Sequence, residues 1–114
     1  MRESDEAILI MVTASGRDDA ERLGESLVVE RLAGSCSVVP TLHSFYFVDD
    51  LLQREHEALL LVRTMESKRE AVLAYIGEHH THLRPEILEL TVAGGSGPYV
   101  QWLAGQVAKP GLNR

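Results

Sequence analysis

The spacing of apolar residues changes repeatedly along the chain, and each change marks an element. Ala7-Ile8-Leu9-Ile10-Met11-Val12 is a continuous apolar run rich in β-branched residues, which reads as a strand buried on both faces. Ser15-Gly16-Arg17-Asp18 breaks the run, with Ser15 placed as an N-cap and Asp18 three residues later in the capping-box position. Ala20, Leu23, Leu27, Val28 and Leu32 then recur at helical spacing, while Asp19, Glu21, Arg22, Glu25 and Arg31 fill the other side. The spacing predicts a helix over about 17–33, closed by Gly34.

From Cys36 to Phe47 most residues are β-branched or aromatic, and Pro40 marks a bulge or an edge position because it cannot donate to a ladder. Asp49-Asp50 is a turn signal that lacks the glycine a two-residue hairpin favours. Ala58 to Val62 reads as a second buried strand, preceded by the polar Gln53-Arg54-Glu55-His56-Glu57. The two strands make one long hairpin over about 36–64, whose polar distal half reaches past the core of one subunit. His43 and His56 lie in its polar parts and read as surface residues. Exposed strand edges template further association, so an arm of this kind predicts an oligomer.

Ser67-Lys68-Arg69-Glu70 has the capping-box pattern, and Ala71, Val72, Tyr75 and Ile76 supply one helical face to about His79. Glu86 to Val92 reads as the last strand. After Gly94-Gly95-Ser96-Gly97, Pro98 takes the first turn of a short helix carrying Tyr99, Val100, Trp102, Leu103 and Val107, and a frayed tail follows. Short connections and right-handed crossovers lead this order to an α+β, ferredoxin-like split βαβ fold: four antiparallel strands with two helices on one face. The chain is read as a single domain over 1–114, with its core at about 7–107 and its tail at 108–114.

Composition narrows the function classes. A net charge of −6 argues against nucleic acid, whose binding rests on Lys and Arg neutralising phosphates. One cysteine, Cys36, leaves no intrachain disulfide and fits a reducing compartment, so a cytoplasmic location is expected. No apolar run approaches the ~20 residues that span a bilayer, so no membrane role is expected. Neither a nucleophile–base–orienter set nor a phosphate-binding glycine loop is present in the sequence, and the protein is predicted not to be an enzyme.

The richest chemistry lies in His79-His80-Thr81-His82-Leu83-Arg84-Pro85-Glu86, which crowds three imidazoles and a carboxylate around one proline. Imidazole and thiolate suit copper or zinc, and a carboxylate can complete such a set. His80, His82, Glu86 and Cys36 are therefore the candidate metal ligands. Structural roles compete: His79 and His80 stand where a helix C-terminus favours positive groups, and a buried Cys36 behaves as a small apolar residue.

Five stretches, in order over about residues 7–104, resemble the CutA family of divalent-cation tolerance proteins. Leu32-Ala33-Gly34-Ser35-Cys36-Ser37-Val38-Val39-Pro40 is similar to the family's Leu-Ala-Ala-Cys-Val-Asn-Ile-Ile-Pro, and Ser44-Phe45-Tyr46-Phe47 to its Ser-x-Tyr-Trp hairpin. Glu57 to Thr64 resembles Glu-Val-x-Leu-x-x-Lys-Thr. His80 to Ile87 resembles His-Pro-Tyr-x-x-Pro-Glu-Ile, and Tyr99-Val100-Gln101-Trp102-Leu103 the closing Tyr-x-x-Trp-Leu. Thr81 and His82 replace the Pro-Tyr of the signature, Arg63 replaces its lysine, Phe47-Val48 replaces a tryptophan-rich pair, and Asp49-Asp50 stands for Lys-Gly.

The resemblance implies a homotrimer, similar in architecture to PII signalling proteins, that binds divalent metal, copper first, and serves metal-ion response. In some members it implies copper held by a cysteine, the signature histidine and a nearby glutamate, for which Cys36, His80 and Glu86 are the candidates here. It also implies that Tyr46, Glu57, Arg63, His80, Glu86, Tyr99 and Trp102 gather near an inter-subunit cleft. Arg63 can fork two donors onto a carboxylate or phosphate, so a small anionic metabolite is the alternative ligand. An Arg63–Glu57 pair that only fixes the interface, or a scaffold for partners, remains open beside both.

Overall fold

The computed structural model describes residues 5–80 and 85–111. In chain order these form β1 (Ala7–Ala14), α1 (Arg17–Val29), β2 (Ser35–Val48), β3 (Leu51–Met65), a 3-10 turn (Glu66–Lys68), α2 (Arg69–His79), β4 (Glu86–Thr91) and α3 (Gly97–Ala108). The sheet order is β2-β3-β1-β4, and every neighbouring pair is antiparallel. β3 thus separates β1 from β2, which is the split βαβ arrangement of the ferredoxin-like fold.

Burial alternates residue by residue along β1. Ile8, Ile10, Val12 and Ala14 join Ala58, Leu60 and Val62 of β3 under Ala20, Leu23 and Leu27 of α1 and Val72 and Ile76 of α2. Thr64 is buried beside them, and its Oγ1 donates to the Leu32 carbonyl at 2.7 Å, so the hydroxyl enters the core satisfied. α3 closes the end of the sheet through Leu103 and Val107 against Met65. The two-sided burial expected of β1 is not reached. Leu9 and Met11, with Leu59 and Leu61 of β3, point to the face without helices and are half-buried. On β4, Leu88 and Leu90 are 68% and 41% exposed.

The long hairpin forms as predicted. β2 is an edge strand, and its register with β3 shifts between Val39 and Leu42, around Pro40. Asp49 and Asp50 adopt φ of 50° and 65°, the paired left-handed conformation of a two-residue primed turn, with aspartates in place of the usual glycine. The distal half is not simply polar, since Phe45, Phe47, Val48, Leu51 and Leu52 are exposed there.

The helix ends differ from expectation for identifiable reasons. α1 stops at Val29, and Arg31 rather than Gly34 takes the left-handed position, with φ of 63°. The Arg31 side chain is held there by a 2.7 Å bond to Gln106 Oε1. Gly34 instead gives room to α3: a Cβ at that position would lie 2.3 Å from Leu103 Cδ1. Gly16, not Ser15, is the N-cap of α1, because the Ser15 hydroxyl donates to Asp19. Ser67 does not cap α2; it sits in the preceding 3-10 turn, and its N–H and hydroxyl both donate to the Asp5 carboxylate, at 2.9 and 2.6 Å.

Candidate functional site

Side chains along β3 alternate between the helix-covered face and the bare one. The bare face therefore receives Glu55 and Glu57, then Leu59 and Leu61, then Arg63. Around Arg63 the register sets Ser35 directly opposite, with Ser37 two residues along. Arg63 Nε donates to Ser35 Oγ at 2.8 Å, and a terminal guanidinium nitrogen donates to Ser37 Oγ. Ser35 Oγ lies 3.3 Å from the Tyr99 hydroxyl, and Tyr99 stacks on Trp102 with ring centres 5.6 Å apart. Among the described residues no carboxylate pairs with Arg63. A guanidinium braced by two neutral hydroxyls keeps its charge and donors for an anion, and the stacked rings beside it offer a flat apolar surface.

The opposite end of the same face is acidic. Desolvation, with the carboxylates of Glu55, Glu57 and Glu86 adding in the same sense, holds the Tyr46 hydroxyl above its ordinary pKa. Glu57 and Arg63 are six residues apart on one extended strand, a separation of about 20 Å. The Arg63–Glu57 pair considered from the sequence is therefore not formed within the chain. The cleft residues divide into two groups: Arg63, Tyr99 and Trp102 at one end, Tyr46 and Glu57 with Glu86 at the other.

Among the described residues the candidate metal ligands do not converge either. His80 closes α2 and lines a cavity of about 180 Å³ between α1 and α2, with Asp19, Arg22, Tyr75 and His79. Its Nε2 lies 3.0 Å from the Thr13 carbonyl. A carbonyl can only accept, so Nε2 carries the proton and is closed to metal while that bond holds. His79 stacks on Tyr75 with ring centres 4.0 Å apart and donates Nδ1 to the Tyr75 carbonyl at 2.8 Å. Asp19 accepts from the Ser15 hydroxyl and from Arg22, which with the nearby His80 hold its carboxyl below the usual range against a smaller effect of desolvation.

Cys36 is elsewhere, on the covered face, lining a groove between α1 and β2 with Gly24, Val28 and Val38. Burial pushes its thiol up to about 12, against a smaller opposing effect of Arg63. Glu86 starts β4 opposite Thr13, on the bare face. His82 lies outside the described residues. The Cys36–His80–Glu86 set thus fails as a single-chain metal site: one thiol is protonated, one imidazole nitrogen is committed to backbone, and the carboxylate is across the sheet. Among the described residues no three His, Cys, Asp or Glu side chains gather as a metal site.

Ser35 and Ser37 were not singled out from the sequence, although their two-residue spacing opposite Arg63 carries the signal. In the ungapped match to the family motif, the cysteine position falls on Ser35, and Cys36 takes the position of the valine. The Arg22–Asp19 pair beside His80 was visible only as the polar side of a helix.

Comparisons with known proteins are consistent along the chain. The family described as CutA1 divalent ion tolerance protein matches residues 8–106. The divalent-cation tolerance protein CutA of Pectobacterium atrosepticum is 33% identical over 98 residues, covering 86% of this chain and 89% of that protein. The chloroplastic protein CutA of Arabidopsis thaliana is 32% identical over 97 residues, 85% of this chain but 53% of the plant protein, so this chain spans about half the length of that relative. The crystal structure of CutA1 from Oryza sativa superposes with a TM-score of 0.84 at 30% identity, covering 88% of this chain and 92% of that one.

Proposed function

Because the chain belongs to the CutA1 divalent ion tolerance family, we propose that it acts in divalent-cation tolerance as a non-catalytic cytoplasmic homotrimer that binds divalent metal, copper first, and contributes to metal-ion response. The family match carries this reading. The bare sheet face supports the assembly. Leu9, Met11, Leu59, Leu61, Leu88 and Leu90 leave it apolar through its middle, and each leucine fully covered by a neighbour contributes about 1.5–3 kcal/mol. The ends of that face are oppositely charged, Arg63 at one and Glu55, Glu57 and Glu86 at the other. In a closed ring each contact is head-to-tail, which lets the basic end of one subunit meet the acidic end of the next. The two halves of the cleft then form one site across the interface. Metal ligation draws on His80, His82 and Glu86, while Cys36 serves packing.

Native mass spectrometry of protein in metal-buffered solution tests this, with wild type beside His80→Ala and Arg63→Ala. The expected result is a trimer holding about one copper per subunit at low free concentration, lost in His80→Ala and retained in Arg63→Ala. A monomer, or a trimer that stays empty, would overturn the metal reading. One observation favours a second ligand class. The Arg63 guanidinium, braced by Ser35 and Ser37 beside Tyr99 and Trp102, is arranged for a small anionic metabolite with a planar group. On that reading saturable anion binding disappears in Arg63→Ala and survives His80→Ala.

A further inference from the structure

The two-residue turn at Asp49-Asp50 sets His43 directly across the ladder from His56. Their ring centres lie 4.6 Å apart with the planes at 74°, and both residues are exposed. Strand alternation turns this pair to the opposite side of the hairpin from Tyr46 and Glu57, away from the bare face. Neither ring has a hydrogen-bond partner among the described residues, so their nitrogens are not committed to the fold as that of His80 is.

The spacing has a chemical meaning. Two imidazoles bound to one zinc or copper ion at ~2.0 Å place their ring centres roughly 4.5–5.2 Å apart for bond angles between square and tetrahedral. The observed 4.6 Å falls within that range before any metal is present. The paired strands already hold both backbones at this spacing, so chelation has only the side-chain rotamers to order, and preorganisation of this kind strengthens binding. On the same face Arg54, two residues before His56, has its guanidinium over the Phe45 ring, 5.5 Å from the ring centre. The chain carries a net charge of −6, which favours a cation.

We propose that His43 and His56 form a bidentate site for a divalent transition-metal ion. Imidazole nitrogens match copper, zinc and nickel, and water completes the coordination, since no third ligand converges among the described residues. An open site of this kind exchanges metal readily. It stands on the hairpin register and the ring geometry, and is independent of the His80 reading.

The test is a zinc chloride titration of the assembled, untagged protein, followed through the histidine ring resonances by NMR. The resonances of His43 and His56 are expected to shift together with one midpoint. In His43→Gln the His56 midpoint should move to at least about tenfold higher zinc, the least that losing even an outer-shell partner commonly costs, and His56→Gln should do the same to His43. His80→Ala should leave both unchanged. Independent midpoints, an unshifted His56 in His43→Gln, or rings that ignore zinc would overturn the proposal. The His80 resonance, read in the same titration, reports separately on the metal site proposed above. Both positions are exposed, so neither glutamine variant threatens the fold.

Discussion

The two faces of the sheet are made by the same strands and differ in what closes them. On the covered face Ile10, Val12, Leu60 and Val62 are sealed by α1 and α2 of their own chain. On the other face Leu9, Met11, Leu59 and Leu61 are half-buried, and Leu88 and Leu90 stand open. A short apolar strand reads the same in sequence whether its second face is covered by its own helices or by another copy. Strand composition therefore reports how much burial the strand needs, and topology decides which part the chain supplies itself. The division also sorts chemistry: the covered face holds a silent thiol, while the bare face carries the charged groups at its ends.

The sharpest separation of the two faces is a cavity on one and a charge on the other. Leu60→Ala removes a fully buried side chain from the centre of the covered face and should cost the subunit about 2–5 kcal/mol. Its denaturant midpoint should fall with little change in slope, and a cost near zero would mean that the helices do not seal this face. On the bare face, Leu88→Glu combined with Leu90→Glu should leave the circular dichroism of the fold intact and shift sedimentation from the proposed trimer towards monomer. If the doubly charged variant still sediments as wild type, that face is not the surface that joins subunits.

Periodicity and turn signals were enough for the element order, for the bulge at Pro40 and for the turn at Asp49-Asp50, because each depends on neighbours in sequence. The misread helix ends depended on distant partners. Ser67 is bound by Asp5, 62 positions away, and Arg31 is steadied by Gln106, 75 positions away. No local spacing encodes either. Glu57 and Arg63 were singled out together from the sequence, but the strand geometry that parts them by about 20 Å was available from their six-residue interval. The His43–His56 pairing was equally available, since a two-residue turn at 49 and 50 makes those positions face each other. Whether Cys36 would meet His80 was not legible at all, since that depends on how α1 and α2 lie on the sheet: both residues are on the covered side, but they line separate hollows.

Cys36 offers the finest test of how tightly the covered face is closed, because it lies at the β2 edge of that face, where α1 leaves a groove. Its thiol is pushed up to about 12, chiefly by burial, from about 9 for a solvated cysteine. As pH rises through this window the unfolded chain loses the proton first. The folded protein then binds more protons than the unfolded one, and stability falls with pH between about 9 and 12. Below that window the shift has no effect on stability. The thiolate is the reactive form, so at pH 8.5 iodoacetamide should alkylate the native thiol at least about a hundredfold more slowly than the unfolded one. Mass spectrometry of timed samples, native and in denaturant, reads the ratio. Equal rates would mean that α1 lifts from β2 readily and that the covered face is open at its edge. A large ratio would confine the accessible chemistry of the chain to the bare face, the α1–α2 cavity and the hairpin imidazoles.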